Sequence, residues 1–193
     1  GVMHACGHDM HIVCLLGAAE QLAQARDAWS GTYIALFQPA EETAAGAKAM
    51  LDAGLSAVIP VPDVALAQHV MPTEVGTIGT TAGPVLSAGD SLKVTVHGRG
   101  AHRSMPHNSI DPVVLASSIV LRLQTIVSRE TRPGQFAVVT VGALNAGFKS
   151  NIIPDRATLL VNVRAYDLDV RTRILAAVER IVTAECAAGA CPK

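Results

Sequence analysis

Aromatic residues are nearly absent: three Phe, two Tyr and one Trp make up 3% of the 193 residues. A chain so poor in rings has no platform on which bases could stack, which argues against single-stranded nucleic acid as a partner. An excess of one charge is missing too. Fifteen Lys and Arg against sixteen Asp and Glu leave a formal net charge of -1. That balance supplies neither the basic face that nucleic acid requires nor an attraction to anionic membrane. The four cysteines, Cys6, Cys14, Cys186 and Cys191, do not form the pattern of a secreted disulfide framework. Reduced thiols in a cytoplasmic protein are the simpler expectation. No signal peptide is visible, and no apolar run reads as long enough to span a bilayer. The chain starts with Gly1 rather than Met, so the missing signal carries little weight. What is abundant is small and aliphatic: 50% of the residues are hydrophobic, enough for a sizeable core in one or two domains.

Two halves differ in pattern. In the first, Ile12, Leu15, Leu16, Ala19, Leu22 and Ala23 recur at helical spacing and predict a helix over 10–26, with Asp9 as its cap. The stretches 32–37 (TYIALF) and 64–68 (VALAQ) read as buried strands. A helix over 44–52 between them is stopped by Gly54, and 74–81 reads as extended. In the second half, 91–97 (SLKVTVH) alternates as a strand with one wet face does. A Gly- and His-rich loop covers 98–108, and Asp111-Pro112 opens a long helix to about Arg129. Strands over 135–144 and 157–166 and a helix over 169–188 follow. The first half is therefore expected to be α/β and the second a β-α-β-β-α unit. The change comes near 83–88, giving domains 1–86 and 87–193.

Three signals carry chemistry. His4, Cys6 and His8 are two residues apart, and side chains at that spacing in an extended segment face the same way. Cys6 and His8 can then reach one metal cluster, with Asp9 and His11 in the same stretch. Glu41 and Glu42 are adjacent carboxylates just past an apparent strand, and His69 directly follows another. Each has a plainer explanation: a buried Cys, acids favoured near a helix start, a structural His. Together they place Cys, His and Glu donors at strand ends and a helix start, the edge where open α/β sheets bind ligands. That is a metal-ligand inventory with a spare carboxylate, as metal-assisted hydrolysis needs.

The same residues resemble a known family. GVMHACGHDMH at 1–11, FQPAEE at 37–42 with GAKAML after it, and QH at 68–69 are similar to motifs of peptidase family M20. GRGAHRSMPH at 98–107, DPV at 111–113, SNIIPD at 150–155 and VNVRAYD at 161–167 extend the match. The similarity is strongest to the amidohydrolase branch, which holds hippurate hydrolases, N-acyl-amino-acid deacylases (aminoacylases) and auxin-conjugate hydrolases. The resemblance implies an α/β catalytic domain of the di-metal phosphorylase/hydrolase-like kind, its mixed sheet flanked by helices. An inserted α+β, ferredoxin-like lid often serves for dimerisation. It implies Cys6, His8, Glu42 and His69 as ligands of two divalent ions (Zn, Mn, Co or Ni) and Glu41 as general base. It implies that His102, Asn151 and Arg164 contact the substrate or its tetrahedral intermediate, in some relatives from the partner subunit. The expected substrate is a small N-acyl amino acid or amide, and a homodimer through the lid is expected.

Two departures stand out. Arg103 occupies the position after Gly100-Ala101-His102 where the family has a small residue. Members of the family are also longer, so a fragment is expected: one without the N-terminal strands of the catalytic domain, the last lid strand and a final metal-ligating His. Two rival readings remain at this point: a hydrolase with Cys6 as nucleophile and a His base, and an inactive fragment acting only as a dimerisation or binding module.

Overall fold

A computed structural model describes residues 6–192. His4 lies outside the described residues. The chain falls into two compact units, Gly1–Ile78 and Gly79–Lys193.

The first unit is built on three helices: α1 (His8–Gln24), α2 (Gly46–Asp52) and α3 (Leu55–Val58). Helix α1 starts two residues earlier than the periodicity predicts. Its cap is Gly7 in the left-handed conformation, and Asp9, expected as the cap, sits in the first turn, where a carboxylate faces the positive end of the helix. The strands expected over 32–37 and 64–68 do not form, and 74–81 is also without a ladder. No strand is assigned within residues 6–78, so none of these segments joins a ladder. Their apolar side chains stay in water: Phe37 is 48% exposed and Leu66 92%. Of the α/β expectation for this half, the helices are present and the strands are not assigned among its described residues, where Gly46 alone is buried.

The second unit follows the expected order. Strand β1 (Ala88–His97) leads through a two-residue strand β2 (Ala101–His102) to helix α4 (Pro112–Thr125). Strands β3 (Ala137–Ala146), β4 (Ile152–Ile153) and β5 (Arg156–Ala165) precede helix α5 (Leu168–Ala188). The main sheet is antiparallel in the order β1-β5-β3, with β5 central, and β2 pairs with β4 apart from it. On β5, Ala157, Leu159, Val161, Val163 and Ala165 are buried, and the residues between them are half-buried or exposed. Strict alternation therefore sends one face into the core and leaves Arg164 on the other. From α4, Ala116, Ile119 and Leu123 join that core, and from α5, Ile174, Val178 and Ile181. Burying each such Leu or Ile contributes roughly 1.5–3 kcal/mol.

Both long helices are opened by aspartates. Asp111 Oδ1 accepts from the backbone N–H of Val113 (2.8 Å) and Val114 (3.4 Å). Asp167 does the same for Asp169 (2.7 Å) and Val170 (3.2 Å). Helix α4 runs on through a π-helical turn, Ile126–Glu130. Contrary to the sequence expectation, Pro112–Glu130 is long and apolar enough to cross a membrane by length and composition. Its apolar side is used against the sheet, however, and its charges pair with α5: Arg122 with Glu185 at 3.4 Å and Glu130 with Arg180 at 2.6 Å. Pro112, Ala116, Ile119 and Leu123 of this helix are buried, whereas Val114 and Leu121 are exposed. Arg171 of α5 also clamps Asp90 of β1 through Nε (2.7 Å) and Nη2 (2.6 Å).

Helix α5 ends in a turn that brings two thiols together. The N–H of Cys191 bonds to the carbonyl of Cys186 (2.9 Å) and that of Ala190 to Ala187 (3.2 Å), with Ala190 at φ 55°. This is a Schellman closure, in which the first and last residues of the turn normally make an apolar contact. Here that pair is Cys186 and Cys191, both packed on the core. Burial, then the hydrogen bond and charge of Cys191, push the Cys186 thiol from its ordinary 9.0 up to about 11. The folded chain thus holds this proton more tightly than the unfolded one. Its contribution to stability is complete below about pH 9 and is lost as pH rises towards 11. Thermal melts across that window should fall more steeply for the native protein than for Cys186→Ala; parallel slopes would refute the assignment.

Candidate metal centre

The first unit gathers a thiol, two imidazoles and two carboxylates. His8 stands on the first turn of α1, and Cys6 just precedes the helix. Gly7 between them has φ 74°, a conformation side chains resist, and a Cβ there would collide with the side chain of Val70. The glycine thus lets the loop carrying His69 approach the start of α1. Glu41 and Glu42 sit in a tight turn tied to its own entry. Thr43 Oγ1 donates to the Ala40 carbonyl (3.0 Å) and the Ala44 N–H to that of Glu41 (2.7 Å). Gly46, where a Cβ would overlap the Pro39 carbonyl, seats α2 directly against that turn.

Cys6 Sγ lies 3.7 Å from His69 Nε2. His8 Nε2 is 3.4 Å from Glu41 Oε2 and 3.6 Å from Glu42 Oε1. Two groups can hold a metal ion, Cys6-His8-His69 and His8-Glu41-Glu42, with ligand atoms inside 4.8 Å of one another in each. His8 belongs to both. All five residues expected from the sequence are therefore brought together. The Cys6 thiol is pushed above its ordinary value by desolvation first and then by Glu42 and Glu41. Such a cluster of acids and a thiol is the environment that a cation relieves.

One contact selects the tautomer of the neutral His69 ring. Its Nδ1 is 2.7 Å from the Val70 carbonyl, which can only accept, so Nδ1 carries the proton and Nε2 presents its lone pair towards Cys6. A further histidine, His11, lies against this group. Its ring centroid is 5.2 Å from that of His8 and 4.5 Å from that of His69. Its Nε2 accepts the N–H of Val70 at 3.1 Å. Partial burial, then His69 and His8, lower its pKa below the usual imidazole value. Sequence reasoning noted His11 but gave it no role. The available signal was its place three residues after His8, which one helical turn puts on the same face.

The residues expected to touch substrate lie in the second unit. The pairing of His102 with Ile152 brings His102 beside Asn151 at one small sheet corner, where the Asn151 carbonyl accepts the N–H of Arg103 (3.3 Å). His102 Nδ1 is 2.8 Å from Ser104 Oγ and accepts the Ser104 N–H at 3.4 Å, so the neutral ring carries its proton on Nε2. Arg164 stands on β5 opposite Gly89 and donates through Nε to Asn162 Oδ1 (3.2 Å). Among the described residues no hydrogen bond joins Arg164 to His102 or Asn151. Arg103 is exposed.

Comparison with known proteins places these features in a family. The model of peptidase family M20/M25/M40 matches residues 1–184. N-acetyl-L-cysteine deacetylase of Bacillus subtilis is 44% identical over 181 residues, 90% of this chain and 41% of that protein. Thermostable carboxypeptidase 2 of Saccharolobus solfataricus is 38% identical, covering 96% of this chain and 47% of the relative. IAA-amino acid hydrolase ILR1-like 2 of Arabidopsis thaliana is 40% identical, covering 99% and 43%. Among solved structures, one from methicillin-resistant Staphylococcus aureus, described as an aminohydrolase, superposes with a TM-score of 0.82 at 35% identity. It covers 96% of this chain and 49% of that one. The YXEP protein of Bacillus subtilis, described as a dinuclear metal binding peptidase from M20 family, gives 0.66 at 32% identity, covering 96% and 46%. The chain spans less than half the length of these relatives. The mixed α/β trace, the donor cluster at 6–8, 41–42 and 69, and a family match along almost the whole sequence agree: the chain belongs to peptidase family M20/M25/M40, in its amidohydrolase branch.

Proposed function

We propose that this chain is part of a metal-dependent hydrolase that cleaves the amide bond of N-acyl amino acids or related small amides. One observation carries the reading: Cys6, His8, Glu41, Glu42 and His69, from three separate stretches, supply ligand atoms at one place. The donor set of thiolate, imidazole and carboxylate suits Zn, Co or Ni, and its carboxylates also suit Mn. Cys6, His8, Glu42 and His69 would hold two divalent ions. When bound, these supply Lewis acidity and lower the pKa of water. Glu41 takes the proton from the attacking water and returns it to the leaving amine. His102, with its proton on Nε2, has a donor suited to the developing oxyanion. Arg164 and Asn151 are proposed to hold the substrate carboxylate, a task for which a guanidinium fork is well shaped. The names of the deacetylase and the IAA-amino acid hydrolase favour acylated amino acids, and that of the carboxypeptidase keeps peptides as the alternative.

Elemental analysis of protein purified without chelator should find about two divalent ions per chain, and Cys6→Ser should bind them more weakly because a hydroxyl is the poorer ligand. Finding no metal would overturn the proposal. A second reading draws on the 3.7 Å contact between Cys6 and His69, the arrangement of a thiol beside a base. Desolvation, then the neighbouring Glu42 and Glu41, oppose it, because they raise the thiol above its ordinary value and so disfavour the thiolate nucleophile. Chelator separates the two, since a thiol enzyme survives EDTA.

Residues 1–86 would belong to the catalytic domain of a longer cytoplasmic protein and 87–193 to a ferredoxin-like lid. Strands β1 and β3 flank the sheet, and open edges invite pairing, which supports a homodimer through this half. A monomer in light scattering at micromolar concentration would remove the case for residues acting across subunits.

A further inference from the structure

The loop that carries His69 has no regular structure to hold it. Between α3 and β1 the described chain forms neither helix nor strand. The position of the His69 ring therefore depends on what fixes residues 69 and 70. Both backbone polar groups of Val70 are engaged by imidazoles. Its carbonyl accepts from His69 Nδ1 at 2.7 Å, and its N–H donates to His11 Nε2 at 3.1 Å. The first bond fixes how the ring turns relative to its own loop. The second ties that loop to α1, the helix that also carries His8.

We infer that His11 is a positioning residue for the metal centre: as an acceptor for the Val70 N–H, it holds the His69 loop against the helix bearing His8, so that His69 Nε2 and Cys6 Sγ face the same point. The inference rests on the metal reading of the preceding section. His11 is not itself assigned as a ligand. It belongs to neither donor group among the described residues, and its Nε2 lone pair is already used by Val70. The role is specific in its chemistry. It requires an acceptor, at the reach of an imidazole Nε2, on the helix face one turn after His8. Glutamine offers a side-chain oxygen at similar reach; leucine fills the space and accepts nothing.

The experiment titrates metal-free full-length protein with Zn²⁺ in a calorimeter, comparing the native protein with His11→Gln and His11→Leu, the fold of each monitored by circular dichroism. His11→Leu is expected to lose roughly 10- to 100-fold in zinc affinity, the scale on which groups that orient ligands act. His11→Gln is expected to recover most of it. Native-like affinity in His11→Leu would overturn the inference. Equal loss in both variants would overturn the acceptor role as well. If His11→Leu does not fold, His11→Gln decides alone, since a tenfold or greater loss with an intact fold contradicts an acceptor that glutamine can replace. A native protein that takes up no zinc would remove the metal reading itself, an outcome distinct from the others.

Discussion

Glu41→Gln should leave the metal content of the full-length protein unchanged while lowering turnover by roughly 10²-fold or more, the usual scale for loss of a general base. That factor corresponds to about 2.7 kcal/mol of transition-state stabilisation. Glutamine keeps the shape and reach of the side chain but removes its charge and its ability to take a proton. Glu42→Gln should fail differently, with metal lost as well as activity, because a neutral amide is a poor replacement for an anionic ligand. The comparison is informative because geometry barely separates the two acids. Their nearest oxygens are 3.4 and 3.6 Å from the same His8 Nε2. The division of labour comes from the family resemblance. Elemental analysis and initial rates, measured on both variants in parallel, decide it. Metal loss in Glu41→Gln with retention in Glu42→Gln would exchange the roles. Near-normal turnover in Glu41→Gln would remove the base from the mechanism.

What could be read from the sequence divides along a physical line. In the second unit the signals are local and are satisfied nearby. The alternation through Leu92, Val94 and Val96 is a strand because β5 lies beside it, paired Leu92 to Val161 and Val96 to Ala157. Asp111 and Asp167 announce helices because each caps N–H groups two and three residues ahead. In the first unit the apolar content was legible but its consequence was not. Stretches 32–37 and 64–68 have the composition of buried strands, yet a strand needs a neighbouring ladder, and the described part of this unit offers none. The short pairing of β2 with β4 was hidden for another reason: it joins residues about fifty apart through two rungs, too few to mark composition. At the candidate site, Cys6, His8, Glu41, Glu42 and His69 were legible as candidates because donor chemistry shows in residue type and the family resemblance joins their three stretches. His11 was not, because its partner is a backbone N–H, which every non-proline residue carries.

Residues 1–193 expressed alone should show no measurable amide hydrolysis under conditions where the full-length protein is active. Ordering a residue costs roughly 1–2 kcal/mol of backbone entropy, and burial must offset it. In the second unit it does: Val96, Ile119, Leu123, Leu159 and Val163 are among a set of closely packed, inaccessible side chains. In the first unit, Gly46 is the one buried residue among those described. Part of the helical stripe of α1 faces water, with Ile12 49% and Leu16 55% exposed, while Leu15, Ala19 and Leu22 are only half-buried. Each such side chain left in solvent forgoes roughly 1.5–3 kcal/mol, a large fraction of the about 5–15 kcal/mol that stabilises a whole domain. The donor cluster sits on this weakly supported half. Hydrogen exchange should therefore show protection in α4, β5 and α5 and near-free exchange across 6–78, with aggregation driven by the exposed apolar surface. Joining the chain to the further segments that make up the rest of its longer relatives should restore both protection and activity. Deacylase rates from 1–193 comparable with those of the full-length protein would show that the site is complete within these residues, and that burial of α1 is not what holds it.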